Sequence, residues 1–378
     1  MRYCFARFIL VFAFLCSIGP LCPPLSAQAE SGRVSVRYAT GFRVERRADC
    51  EVVTVTKPWP GSRESFVYVL YPRGKAKPSY AGKALYFQTP VRRAVSYSST
   101  YIPAIIASGG LSSIVGVDNA AYIYSPGLRA RLASGQAIET TRNGNPNMEL
   151  LLSLSPDVIF TYGMGNEWDS HPKMLELGLP AVIDGEWNET DPLARAEWMK
   201  FIALFYGAGD GAERLFASVE ADYLRLKAQA AQAKSRPRVL VNAPFQGSWA
   251  VSGGRSYMAR FIADAGGDYL WARDSSTGGL SLGLEAVYER GLSAELWLNP
   301  GAANSLKELL SMDARFASLP AFARGAVWGS RLRATKDGAN DYFESGVMRP
   351  DLVLADLVRI FHPELRLGGD FNYYARLK

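Results

Sequence analysis

The sequence predicts an α/β protein built in two halves, and three observations carry that prediction. At 378 residues the chain is too long for one ordinary core. Short apolar strands alternate with helices, the pattern of a parallel sheet. Beyond a long helical stretch in the middle, the same alternation begins again. Composition agrees, since 48% hydrophobic and 21% charged residues is ordinary globular makeup.

Residues 1–29 read as a signal peptide. Arg2 and Arg7 precede the apolar run Phe8 to Leu15, and Ala27-Gln28-Ala29 offers small residues for cleavage near Ala29. The run is shorter than the roughly 18 residues that span a bilayer, and Pro20, Pro23 and Pro24 break any helix. Neither Cys16 nor Cys22 follows the small residue that lipidation needs, so the expected product is free in the periplasm. Of the four cysteines only Cys50 remains after cleavage, which excludes an internal disulfide; its alternating surroundings make it a small core residue. Removing Arg2 and Arg7 from 42 basic residues leaves 40 against 36 acidic ones, a net charge of +4. No run of basic residues interleaved with aromatics suggests nucleic acid, and export argues against it too.

Val34–Tyr38, Val52–Thr56 and Phe66–Leu70 alternate between Pro and Gly turns and predict an antiparallel meander. Then follow a strand at Ala94–Ser96, a helix near Ile102–Ser108, a strand at Ile114–Val117, a helix around Glu149, and strands at Val158–Phe160 and Leu179–Ile183. Asp191-Pro192 opens a helix to Tyr206, Gly207 to Gly211 interrupts it, and Leu215, Val219, Tyr223 and Leu226 space a second helix over Ala212–Lys234. That helix, about 33 Å long, can cross between two lobes. Strands at Val239–Asn242 and Leu296–Asn299, with helices at Tyr257–Ala265 and Pro350–Phe361, complete the second half. The division is a signal peptide (1–29), an N-terminal lobe (30–205), a connecting helix (206–235) and a C-terminal lobe (236–378).

The stretch Asn145-Pro-Asn-Met-Glu-Leu-Leu-Leu-Ser-Leu-Ser-Pro-Asp-Val-Ile-Phe160 joins a short helix to a buried strand. Asn147 caps the helix, Leu150, Leu151 and Leu154 give it an apolar face, and Pro156 stops it. Glu149 sits in the first turn, where a carboxylate suits the positive helix end and points to solvent. Locally, Glu149 does no more than support the helix.

This stretch resembles the "pNLE.llaLkPDlVi" signature of the periplasmic binding proteins that deliver ferric siderophores, haem or cobalamin to ABC importers. Gly283-Leu-Glu-Ala-Val-Tyr-Glu-Arg-Gly-Leu-Ser-Ala-Glu-Leu-Trp-Leu298 is similar, more loosely, to the family's second-lobe segment, and Asp191 to Trp198 resembles the start of its connector. The resemblance covers nearly all of the mature chain. It implies two Rossmann-like lobes joined by a long rigid helix, a ligand cleft between them, and two glutamates that dock on arginines of a permease. Glu149 is the first of these and Glu285 the second, with Glu289 as its competitor one turn on. The implied partners are an ABC permease with its ATPase and a small-molecule chelate, and the chain is expected to be a monomer.

Ligand contacts are expected in loops at strand carboxyl ends, where open parallel sheets place their sites. Tyr97 and Tyr101, Tyr124 and Trp168 come from such loops in the first half, and Phe245, Trp249 and Tyr342 in the second. Tyr101 and Trp249 stand out, each directly after a strand and beside Gly, Ser or Thr. Aromatic and small polar groups suit a large, partly apolar metal chelate or corrinoid; for any one aromatic, core packing is an equal alternative. A resident metal would need several histidines or carboxylates, and only His171 and His362 exist. His362, before Pro363, caps the last helix; His171 lies in a loop near the expected cleft, where axial ligation of haem or corrinoid is an alternative, and no metal ligand is assigned. No Gly-x-Ser-x-Gly, phosphate loop, His-Glu-x-x-His or Cys-x-x-Cys is present, so no enzyme and no resident cofactor are expected. A ligand-binding sensor and, more remotely, an exported hydrolase are the alternatives.

Overall fold

The computed structural model describes residues 34–378; the expected signal peptide lies outside the described residues. It is an α/β structure with two parallel-sheet lobes, preceded by a four-stranded sheet. In that N-terminal sheet Phe42–Arg46, Glu51–Val55, Phe66–Pro72 and Leu85–Thr89 lie in chain order, the first three antiparallel and the fourth parallel to the third. The expected meander is therefore present in its second and third strands, with the unexpected Phe42–Arg46 as its first, and it differs in two ways.

One change is the added parallel strand. The other is that Val34–Tyr38 is no strand: its amides bond to a helix and not to a ladder. Arg37, Tyr38 and Ala39 donate their backbone N–H groups to the Glu197 carboxylate at 2.7–3.0 Å, and those of Thr40 and Gly41 reach Glu189. Lys200, fully buried, pairs with Glu197 at 3.0 Å and Glu213 at 2.9 Å. A buried charge is tolerable only when paired in this way.

The first lobe holds five parallel strands in the order Ala181–Ile183, Val158–Thr161, Ala94–Ser96, Ile114–Val117, Ile138–Glu139. The second orders Asp268–Tyr269, Arg238–Val241, Leu296–Leu298, Val327–Gly329 and Ala375–Arg376, all parallel except the last. Each sheet has a switch point, a pair of neighbouring strands whose connections leave in opposite directions. In the first lobe these are Ala94–Ser96 and Val158–Thr161, and in the second Arg238–Val241 and Leu296–Leu298.

Between the lobes, the helix Pro192–Phe205 is capped by the Asp191 carboxylate and buried at every residue except Arg195. It ends at Gly207, whose φ of +65° needs no Cβ. The next helix, Gly209–Ala230, begins earlier than expected because Gly209 and Gly211 join it. It buries Phe216, Val219, Tyr223, Leu226 and Ala230 against the preceding helix and the terminal helix Pro350–Phe361. A three-stranded antiparallel sheet, Pro244–Phe245, Ser248–Ser252 and Gly279–Gly283, rises from the second lobe where only loops were expected. Cys50 is buried among Val52, Val69 and Tyr71, as its pattern predicts.

Candidate functional site

Ligands of open α/β sheets bind outside the carboxyl ends of the strands, at switch points. In the first lobe the loop after Thr161 carries Tyr162, Met164 and Trp168, all exposed, Trp168 to 83%. Tyr122, also exposed, follows the neighbouring strand Ile114–Val117. In the second lobe the hairpin after Val241 carries Phe245, 75% exposed, and the chain after Gly329 carries Leu332 and Phe343, again exposed. Large apolar side chains left in water at the carboxyl edges of both sheets are the informative departure from ordinary burial.

The first-lobe loop is held in shape from two sides. Asp169 accepts the Met164 and Gly165 N–H groups at 2.7 and 2.8 Å. Trp59, from the N-terminal sheet, covers Gly163 and Gly165 so closely that neither position has room for a Cβ, and Gly165 also has a φ of +74°. The same indole packs against His171 at 5.6 Å and Phe66 at 6.1 Å between ring centroids. His171 opens the helix His171–Glu176 and is buried, and burial lowers its pKa, so it is neutral at neutral pH. Beside Trp59 opens a cavity of about 450 Å³, bounded by Lys57 to Ser62, by Gly185 to Asp191 after the first lobe's edge strand, and by Thr277 after the second lobe's edge strand. Larger open grooves lie away from the switch points, one of about 540 Å³ beside the C-terminal half of the long helix and one of about 690 Å³ between the N-terminal sheet and that helix's first residues. Among the described residues no group of three or more His, Cys, Asp or Glu is placed to hold a metal ion.

A carboxylate ties the two edges together. Glu344 of the second lobe accepts the backbone N–H groups of Tyr124 and Ser125 at 2.7 and 3.0 Å, at the start of the first-lobe helix Pro126–Ala133. It is buried, and desolvation first of all, with Asp341 adding, pushes its pKa from 4.5 up to about 7. The nearby cations are already engaged: Arg333 pairs with Asp341 at 3.0 Å and lies over the Tyr124 ring, and Arg129 pairs with Asp337 at 3.1 Å.

The aromatic residues singled out in the sequence divide sharply. Trp168 and Phe245 stand in the open at the two edges, and Tyr124 is half-buried beneath Arg333. Tyr97 is buried and accepts a bond from the Thr140 hydroxyl at 3.1 Å. Tyr342 is buried among Phe343, Tyr373 and Tyr374. Tyr101 and Trp249, the two that stood out, are both core residues. The Tyr101 hydroxyl donates to the Asp184 carbonyl at 3.4 Å. Trp249 lies on a strand in which it and Val251 face inward, stacks near Trp297 and Phe316, and donates its indole N–H to the Val241 carbonyl. Neither ring has surface left for a ligand. Reading the segments as loops hid the two-residue alternation that buries Trp249.

Glu149 and Glu285 are both exposed and both in the first turn of a short helix, Met148–Leu154 and Leu284–Gly291. Asn147 caps the first helix as expected. Among the described residues Glu285 has one partner, Arg315, at 3.4 Å on the surface. Sequence reasoning missed Trp59 and Glu344. A tryptophan held in Lys57-Pro-Trp-Pro-Gly61 was a legible sign of a rigid turn, whereas nothing local announced Glu344.

A family model described as "Periplasmic binding protein" matches residues 94–329. An uncharacterised lipoprotein of Methanocaldococcus jannaschii is 29% identical over 297 residues, covering 76% of this chain and 69% of that one. A second uncharacterised lipoprotein of that organism is 27% identical over 374 residues, covering 93% and 89%. Among solved structures, a periplasmic heme-binding protein from Roseiflexus sp. RS-1 in its apo form superimposes with a TM-score of 0.55 at 22% identity, covering 72% of this chain and 99% of that one. The periplasmic vitamin B12 binding protein of Vibrio cholerae gives 0.53 at 14% identity, covering 74% and 100%. A periplasmic binding protein from Veillonella parvula gives 0.57 at 15%, covering 85% and 98%. At these identities the structural likenesses concern the fold.

Proposed function

Because the chain belongs to the periplasmic binding protein family, we propose that it is the extracytoplasmic solute-binding component of an ABC importer, taking a metal chelate of the haem, siderophore or cobalamin kind. One observation carries the ligand class: exposed aromatics crowd the switch-point edges of both lobes, where a flat, partly apolar ligand would be gripped between them. Trp168 and Tyr162 would form one wall and Phe245 and Phe343 the other, with Trp59 fixing the first. Solved proteins of this fold named for heme and for vitamin B12 support that reading.

The protein acts by binding and release. Glu149 and Glu285 would meet arginines of the membrane permease, as their exposed positions at two helix starts allow. The long helix Gly209–Ala230 forms the connector between an N-terminal lobe ending near residue 205 and a C-terminal lobe beginning near 236. Cleavage near Ala29 would leave the chain free in the periplasm, although the relatives' name makes a lipid tether the alternative, which the mass of the exported protein decides.

Titrating the protein with haemin, cobalamin and ferric siderophores, while following the chelate's absorbance and tryptophan fluorescence, tests the ligand class. One of them is expected to bind in the micromolar range or tighter; failure of all three would overturn the proposal. Glu149→Ala with Glu285→Ala tests docking. Removing one side of a desolvated charge pair costs about 2–5 kcal/mol, so uptake should collapse while affinity in solution is kept. Uptake at the wild-type rate would refute docking through these residues.

A further inference from the structure

Residues 34–93 precede the stretch that the family model matches, and they build the N-terminal sheet. Their charge is lopsided. They carry twelve Lys and Arg against four Asp and Glu, a net +8, whereas residues 94–378 carry 27 against 31, a net −4. The basic character of the protein therefore resides in this sheet and not in the ligand-binding lobes.

The sheet's two faces differ. Val53, Val55, Tyr68, Leu70 and Phe87 on the inner face belong to the main core. On the outer face Cys50, Val52, Val69 and Tyr71 form a separate small cluster, covered by Tyr80 and Tyr86. Basic side chains lie over this cover: the Arg47 guanidinium is 5.1 Å from the centre of the Tyr80 ring, and the Lys77 ammonium is 3.9 Å from that of Tyr86. Lys75, Lys77 and Lys83, all exposed, come from the segment that crosses this face, and none has a carboxylate partner among the described residues. Of the acidic residues at this face, Glu45 is paired with Arg47 at 2.9 Å and Asp49 lies against the Cys50 thiol.

We infer that the outer face of the N-terminal sheet is a docking surface for an anionic membrane, with Lys75, Lys77 and Lys83 against lipid phosphates and Tyr80 and Tyr86 beneath them. Unpaired lysines are mobile point charges that adapt to a fluid array of headgroups; capture of one acidic peptide would call for the fixed forks of arginine around a groove. Tyrosines with an apolar body and a polar tip suit the bilayer interface. Such a surface would hold the binding protein beside the membrane in which its importer sits. It depends on the extracytoplasmic location and not on which ligand is bound.

The test uses the compact unit Gly32–Lys378, which lacks the apolar N-terminal run, and its sedimentation with vesicles. Wild type should bind vesicles of equal parts phosphatidylcholine and phosphatidylglycerol, release them as salt is raised, and ignore pure phosphatidylcholine. Each lysine near a charged surface contributes about fivefold, so Lys75→Gln, Lys77→Gln and Lys83→Gln together should weaken binding about 100-fold. Removing three exposed lysines outside this sheet, Lys234→Gln, Lys307→Gln and Lys336→Gln, should change it little. Equal binding to neutral vesicles, equal loss in both triple variants, or tighter binding to soluble polyglutamate than to lipid would each overturn the membrane assignment, the last in favour of an acidic protein partner.

Discussion

The two lobes place the same kind of segment after corresponding switch-point strands, yet build it differently. After Val158–Thr161 the first lobe makes an irregular loop, held by Asp169 and Trp59, that leaves Trp168 in solvent. After Arg238–Val241 the second lobe makes a hairpin whose strand turns Trp249 into the core and leaves Phe245 near the turn. Two tryptophans in comparable places thus have opposite jobs. Position along the chain locates the segment, but its hydrogen bonding decides which side chain is offered to a ligand.

The largest expected effect breaks this comparison on its buried side. Trp249→Ala removes an indole packed on Trp297 and Phe316 and orphans the Val241 carbonyl, so unfolding should come about 3–5 kcal/mol earlier in a denaturant titration. A loss below about 1 kcal/mol would mean that the hairpin is peripheral and Trp249 available after all.

A second effect concerns the tie between the two edges. Glu344, held at about 7 in the folded chain against 4.5 ordinarily, keeps its proton while the unfolded chain releases one over that interval. Stability from this group is therefore full below pH 4.5, falls by up to about 3 kcal/mol toward pH 7, and is level beyond. Glu344→Gln should flatten that slope in thermal unfolding followed across the same range, at the cost of about 1 kcal/mol for one lost N–H acceptor. An unchanged slope would assign the pH dependence to another buried carboxyl such as Asp184, which desolvation also raises well above its usual value.

What was legible follows the same division between local and distant causes. Pro350–Phe361 was read to the residue because proline fixes its start and helical spacing its face. The strands Ala94–Ser96 and Ile114–Val117 were legible as buried apolar runs between turns. Val34–Tyr38 has strand composition, but Glu197, about 160 residues on, takes its amides, and no local signal reports a partner so far away. For the site, the loops were legible from strand ends. The side chains were not, because burial of Trp249 depends on the pairing of Ser248–Ser252 with Gly279–Gly283, and the shape of the Tyr162–Trp168 loop on Trp59 from another sheet.

The smallest effect on stability should come from the exposed members of the pair, and it sharpens the comparison most. Trp168 and Phe245 make too little contact with the folded chain for Trp168→Ala or Phe245→Ala to shift unfolding by more than about 0.5 kcal/mol. Their effect should appear in ligand affinity, where an aromatic anchor in a desolvated contact contributes about 2 kcal/mol or more. A ligand held between the lobes touches both residues, so each change alone should weaken binding more than tenfold in a fluorescence or absorbance titration. A ligand seated on one lobe touches only one of them. If Phe245→Ala bound as wild type while Trp168→Ala did not, the site would shrink to the first-lobe loop and the cavity beside Trp59, and the second lobe's hairpin would need another reason to leave a phenylalanine in water.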